Sequence, residues 1–158
     1  NNFSHNVINI DHSLQYANGH AFVCEEHPEA KQPSVKLNLC EVYKEKAKSA
    51  YRKFTLLNNY TIEVEDEVNL LDAGSKVSWV AGTKANVEVN GNKAHFMRNG
   101  KHFYMQIIAP AGAVFKTYPA KNTYKGEKTI EGITMLEAEC SFKETDGKVT
   151  IQMSSKKF

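Results

Sequence analysis

The sequence predicts an all-β protein, an antiparallel β-sandwich of about eleven strands, with a closed β-barrel as the alternative. Apolar and polar residues alternate with a period of two along most of the chain, which is the pattern of half-buried strands. Asx-Gly pairs at 90–91, 99–100 and 146–147 are typical of two-residue hairpin turns. Only residues 44–50 offer a candidate for a turn or two of helix.

Size and charge restrict the class of protein. The chain has 158 residues and a mass of 17.8 kDa, so we expect a single domain over 1–158. The 20 Lys and Arg nearly balance the 18 Asp and Glu, which argues against a nucleic-acid partner. The longest apolar runs are too short to span a membrane, so we expect no membrane partner either.

Strands are predicted at 5–11, 19–25, 34–42, 75–81, 112–118 and 133–143, in addition to the hairpins. In the first strand His5 and Asp11 share a side but lie about 20 Å apart, at roughly 3.3 Å per residue, which is too far to bind one ion. The other histidines of the first half show no metal-ligand spacing. A metal site made from this chain alone is therefore disfavoured.

The turn at Asn58-Asn59 allows two registers. A two-residue loop would place apolar residues opposite polar ones, whereas a three-residue loop through Tyr60 places Phe54 opposite Val64 and Leu56 opposite Ile62. Burial favours the second register, because a slip of one residue turns a whole face outward.

The favoured register also places Arg52 opposite Asp66 on an otherwise apolar face. Neither charge would be tolerated there alone. A structural ion pair is the favoured interpretation, and a substrate-binding arginine is the alternative.

The Asx-Gly turns at 90–91 and 99–100 predict a three-stranded meander over 84–108. The turn at 90–91 pairs Val87 with Ala94, and the turn at 99–100 pairs Phe96 with Phe103. Both registers place apolar residues on one face. The opposite face carries His95, Met97, His102 and Tyr104, which we interpret as a solvent-facing or sheet-packing surface and not as a catalytic group.

The third Asx-Gly turn, at 146–147, predicts a hairpin that pairs Phe142 with Ile151 and Cys140 with Met153. Cys24 and Cys40, like Cys140, lie among strand residues without CxxC spacing, so we interpret all three as small buried hydrophobes.

The segment 118–132 is polar and basic, with Lys121, Lys125 and Lys128, and is predicted to be a surface loop. Contact with an anionic glycan is the less favoured interpretation of this segment. No phosphate-binding loop, Gly-x-Ser-x-Gly elbow or Cys-His arrangement is present in the sequence.

Residues 5–11 read His-Asn-Val-Ile-Asn-Ile-Asp and are followed by Gln15 and Gly19-His20-Ala21. This block resembles the His-Asn-Thr-Val-x-Val-Asp-Gly block, followed by Gln, of the heparinase II/III-like polysaccharide lyases. Residues 52–54 and 64–68 are similar to the Arg-x-Phe and Val-x-Asp-x-Val hairpin of that family, and the strand of Trp79 follows at the expected place. The chain departs from the pattern at Val7, where Thr is usual, and at His12, where Gly is usual.

The resemblance implies that residues 1–158 are the C-terminal β-sandwich portion of a longer, secreted or periplasmic lyase. The family cleaves uronic-acid polysaccharides such as heparin and heparan sulfate by β-elimination. The sandwich would pack beside an upstream α/α toroid and complete the wall of the substrate cleft. No catalytic position of the family maps onto this chain, so we expect it to be inactive alone.

The resemblance also implies a metal ligand. His5 matches the family histidine that helps to hold a structural metal, usually zinc, whose other ligands would lie upstream, so the site would be incomplete in this chain. That the chain opens directly on a strand is likewise expected of a fragment. The alternative is a free-standing, non-catalytic module that binds carbohydrate or protein.

Overall fold

The computed structural model describes residues 5–121 and 131–158. These residues form twelve strands and one short helix. The strands are β1 (Ile8–Ile10), β2 (Phe22–His27), β3 (Ser34–Asn38), β4 (Ala47–Asn58), β5 (Thr61–Leu70), β6 (Lys76–Thr83), β7 (Asn86–Asn90), β8 (Lys93–Arg98), β9 (Lys101–Ala109), β10 (Phe115–Pro119), β11 (Thr134–Ser141) and β12 (Asp146–Ser154), and the helix is α1 (Cys40–Tyr43).

The strands form two open antiparallel sheets. The smaller sheet has the order β1-β6-β11-β10, and the larger has the order β2-β3-β4-β5-β12-β9-β8-β7. The prediction of an all-β antiparallel sandwich is confirmed, and the described strands close no barrel. In the predicted loop 118–132, Tyr118 belongs to β10, whereas Lys125 and Lys128 lie outside the described residues.

The core lies between the two sheets. Its side chains alternate along the strands, as the period of two predicts. Its large, fully buried side chains include Ile8, Ile10, Leu70, Val77, Leu136, Val149 and Ile151. Burial between the sheets raises the pKa of Cys140 to about 12. Cys24, on the edge strand β2, is exposed, so the prediction of a buried thiol is wrong for this cysteine.

The predicted register between β4 and β5 is confirmed. Phe54 lies opposite Val64, Leu56 opposite Ile62 and Arg52 opposite Asp66. The turn itself is tighter than predicted, because Asn58 pairs with Thr61 and the register shifts between Leu56 and Asn58. The additional residue is therefore accommodated as a bulge in β4.

The meander of β7, β8 and β9 is also present, with one register corrected. Phe96 lies opposite Phe103 as predicted, but Val87 lies opposite Phe96 and not opposite Ala94. Asn90 pairs with Lys93, so the loop is Gly91-Asn92 and only its first residue has a positive φ, of 59°. This is the pattern of a type II′ turn, and the shift of two residues keeps the same side chains on the same face.

The hairpin predicted at Asp146-Gly147 is wrong. β11 lies in the smaller sheet and β12 in the larger, where Asp146 and Gly147 pair with β5. Gly147 is needed for packing, because a Cβ atom there would clash with the ring of Phe142. The chain changes sheets at this point instead of reversing within one.

The helix predicted at 44–50 is displaced. The helical turn is α1, and most of 44–50 belongs to β4, where Ala47 lies opposite Leu70. The side chain of Asn38 accepts a hydrogen bond from the backbone N–H of Cys40 at 2.9 Å, which supports the start of the turn. No helix in the described part of the chain is long and apolar enough to cross a membrane.

Candidate functional site

The segment that leads into β1 is tied to both sheets through Asn6. The Asn6 side chain accepts a hydrogen bond from the backbone N–H of Gly82 at 2.8 Å. The guanidinium of Arg52 donates to the Asn6 carbonyl at 2.9 Å. Asn6 is thus a structural residue whose bonds place its neighbour His5 at the surface of the sandwich.

A second anchor joins the start of β1 to the helix. The hydroxyl of Tyr43 donates to the carbonyl of Ile8 at 2.8 Å and accepts from the side chain of Gln15 at 2.7 Å. Burial raises the pKa of Tyr43 to about 12, so the phenol keeps its proton and remains a donor at neutral pH. Gln15 therefore serves the packing of β1 against α1.

Asp11 directly follows β1 and connects it to β6. Its carboxylate accepts from the backbone N–H of Lys76 at 2.9 Å and from the hydroxyl of Ser75 at 3.0 Å. Partial burial acts to raise the pKa of Asp11, but these hydrogen bonds and the charge of Lys46 outweigh it and hold the pKa below its usual value. Asp11 and His12 have φ values of 52° and 50°, which explains why glycine would suit the second position.

Arg52 and Asp66 form a buried bidentate ion pair. The two guanidinium nitrogens donate to the two carboxylate oxygens at 2.7 and 2.9 Å. The Asp66 side chain is 1% exposed and that of Arg52 is 12% exposed. Burial raises the pKa of Asp66 against the opposing effect of Arg52. Because Arg52 also holds Asn6, its contacts support the structural interpretation of this arginine.

A groove of about 590 Å³ lies beside β1 and α1. Its lining is mostly apolar and consists of His5, Val7, Leu14, Gln15, Tyr16, Ala17, Gly19, Ala21, Leu39 and Val42. Gly19 allows the close approach of its loop to α1, because a Cβ atom there would lie 2.8 Å from the Cα atom of Val42. The backbone N–H of His20 donates to the carboxylate of Glu41 at 2.9 Å and closes the same contact.

A second cluster lies on the outer face of the larger sheet. The rings of His95 and His102 are joined by a hydrogen bond of 2.9 Å, and the Tyr104 ring stacks on His95 at 4.7 Å. The carboxylate of Glu88 lies 3.7 Å from the other ring nitrogen of His95. The sequence predicted that the aromatic side chains share a face, but it missed Glu88. The predicted turn at Asn90-Gly91 placed Glu88 opposite Lys93, whereas in the structure Glu88 lies opposite His95.

Comparison with solved structures identifies the fold. The chain is similar to the heparinase III-BT4657 gene product, with a TM-score of 0.72, 14% sequence identity and coverage of 94% of this chain and 23% of that one. It is also similar to the heparan sulfate lyase HepC from Pedobacter heparinus, with a TM-score of 0.76, 12% identity and coverage of 95% of this chain and 24% of that one.

The chain has the fold of a heparan sulfate lyase domain. It spans about a quarter of the length of the lyase structures that it matches. No protein-family model and no curated protein sequence matches it significantly.

The residues of the first sequence block do not form a complete metal site with the other described residues. His5 is exposed at the rim of the groove. Within residues 5–121 and 131–158, no three His, Cys, Asp or Glu side chains are grouped so that they could hold a metal ion. A single imidazole is too few ligands for a structural zinc, which takes four. The described residues therefore do not fit a zinc ion by themselves.

Proposed function

We propose that this chain is the β-sandwich part of a polysaccharide lyase that cleaves uronic-acid glycans, of the heparin and heparan sulfate type, by β-elimination. The observation that carries the proposal is the fold shared with heparan sulfate lyases over 94–95% of this chain. The block at residues 5–11, which resembles that family, supports it, because Asn6, Ile8 and Asp11 make contacts that fix β1 and its flanking residues to β6 and α1.

In this proposal the sandwich supplies a wall of the substrate cleft and not the proton-transfer groups. β-Elimination requires a base at C5 of the uronate, donors that neutralise its carboxylate and an acid at the leaving C4 oxygen. The groove beside His5 is lined mainly by apolar side chains, which are suited to packing against another domain and not to that chemistry. The proposal places the protein in the periplasm or outside the cell, where such polymers are encountered.

The first prediction concerns activity. The 158-residue chain is expected to release no unsaturated uronate from heparan sulfate, as followed by ultraviolet absorbance of the conjugated double bond. The same sequence joined to the helical toroid and first sandwich strands of its parent protein is expected to release it. Turnover by the chain alone would contradict the division of roles. A parent protein that has no helical domain and no lyase activity would favour a free-standing binding module.

The second prediction concerns zinc. We propose that His5 is one ligand of a structural zinc whose other ligands lie outside this chain. In the longer protein His5→Ala is expected to lower the zinc content and the melting temperature more than kcat, because a structural metal contributes to folding and not to proton transfer.

His27→Ala removes another exposed histidine and serves as the matched control for zinc content and melting temperature. The isolated chain is expected to bind zinc no better than any exposed histidine. A longer protein whose zinc content is the same with and without His5 would contradict the assignment.

A further inference from the structure

We propose that the tip of the hairpin formed by β8 and β9 binds an acidic sugar unit, that is, a sugar ring carrying a carboxylate or a sulfate. A cavity of about 400 Å³ lies there. It is lined by Ala85, Phe96, Arg98, Asn99, Lys101, His102 and Phe103. The inference deepens the proposed function and rests on it for the class of ligand, because it assigns a glycan contact to a surface far in sequence from the His5 groove.

No carboxylate of the described residues compensates the charges at the tip. Arg98 lies directly opposite Lys101, and both side chains are exposed. Like charges opposite each other across two strands destabilise a hairpin. Neither cation forms an ion pair with a carboxylate of the described residues, and no carboxylate lines the cavity. A bound anion would remove this repulsion and accept hydrogen bonds from both side chains.

The turn fixes the backbone positions from which the two cationic side chains extend. Asn99 and Gly100 have φ values of 51° and 71°, as a two-residue type I′ turn requires. His102 adjoins them, and one of its ring nitrogens is engaged by His95 at 2.9 Å. His95 therefore orients the His102 ring on the opposite face of the hairpin from Arg98, Lys101 and Phe103.

An aromatic surface lies beside the cations. The rings of Phe96 and Phe103 meet edge to face at 5.8 Å, and Phe103 remains 36% exposed whereas Phe96 is buried. An exposed ring next to charged donors suits a ligand with both an apolar face and an anionic group. The C–H face of a sugar ring and its carboxylate or sulfate have these properties. A free inorganic anion would leave the ring unused.

The test uses the 158-residue chain and a heparan sulfate hexasaccharide in isothermal titration calorimetry. Arg98→Gln combined with Lys101→Gln is expected to weaken binding by about tenfold, from the loss of two exposed charged contacts. The matched control combines Lys48→Gln with Lys116→Gln, two exposed lysines that form no ion pair with a described carboxylate. The control lowers the net charge equally and is expected to change the affinity by less than about twofold.

Phe103→Ala tests whether binding depends on the aromatic ring and not on charge alone, because it changes no charge. It is expected to weaken binding by about fivefold. Circular dichroism melts check that each variant is folded. If the hairpin variants do not fold, backbone amide shifts of the wild-type chain on adding the hexasaccharide decide, and the largest changes are expected over 96–103.

The proposal is overturned if the hairpin and control variants lose equal affinity, or if the wild-type chain does not bind the hexasaccharide. It is also overturned if the largest amide shifts lie outside 96–103, or if single-stranded DNA of matched charge binds equally tightly. The outcomes distinguish it from the proposed function. Hexasaccharide binding at the hairpin without uronate release by the longer protein would overturn the lyase assignment alone. Uronate release without binding at the hairpin would overturn this inference alone.

Discussion

Asp66→Ala is expected to destabilise the protein by about 3–5 kcal/mol, because it leaves a buried guanidinium without its partner. Arg52 is 12% exposed, and its two bonds to Asp66 measure 2.7 and 2.9 Å. The free energy of unfolding in urea, followed by circular dichroism, measures the loss.

The control for this prediction is Glu139→Ala. Glu139 lies 3.5 Å from Lys76, and the two side chains are 34% and 59% exposed. Loss of such a surface pair is expected to cost about 0–1 kcal/mol. If Asp66→Ala costs no more than this control, the pair is solvated in solution and Arg52 becomes available for a ligand.

Trp79→Ala is expected to cost about 3–5 kcal/mol, because it empties a large volume in the centre of the smaller sheet. Trp79 is 3% exposed and lies opposite Ile8 on one side and Ala138 on the other. Because Trp79 lies opposite Ile8 of β1, its loss is also expected to loosen β1 and the adjacent groove beside His5. Guanidinium unfolding followed by circular dichroism measures the effect.

Trp79→Phe provides the sharper comparison. The indole N–H of Trp79 is buried and has no hydrogen-bond acceptor among the described residues. Removing an unsatisfied donor recovers part of its desolvation cost, which opposes the loss of volume. We expect Trp79→Phe to cost less than half of what Trp79→Ala costs. Equal costs for the two substitutions would show that the N–H has a partner in solution.

Local patterns in the sequence determined the class of fold and much of the larger sheet. The period of two predicted antiparallel strands, and burial alone selected the register that places Phe54 opposite Val64. The ion pair of Arg52 and Asp66 followed from that register. The type I′ turn at Asn99-Gly100 was equally predictable, because both of its residues need a positive φ that Asn and Gly tolerate.

The candidate site was only partly predictable. The His5 block lies at the rim of a groove, and that groove depends on Tyr43 and on the approach of Gly19 to Val42, which join distant segments. The cavity at the hairpin tip was not predicted from the sequence. It depends on the partial exposure of Phe103, which is determined by the packing of the two sheets and not by the turn sequence.

The tertiary structure decided where each strand belongs. Asp146-Gly147 has the composition of a hairpin turn, yet Gly147 pairs with Val68 because β11 and β12 pack in different sheets. Asn90-Gly91 formed a different turn from the one its composition favours, and this moved Glu88 next to His95. A turn sequence specifies which backbone angles are low in energy over a few residues. The burial of whole sheet faces, which involves residues far apart in the chain, determines which of those turns forms.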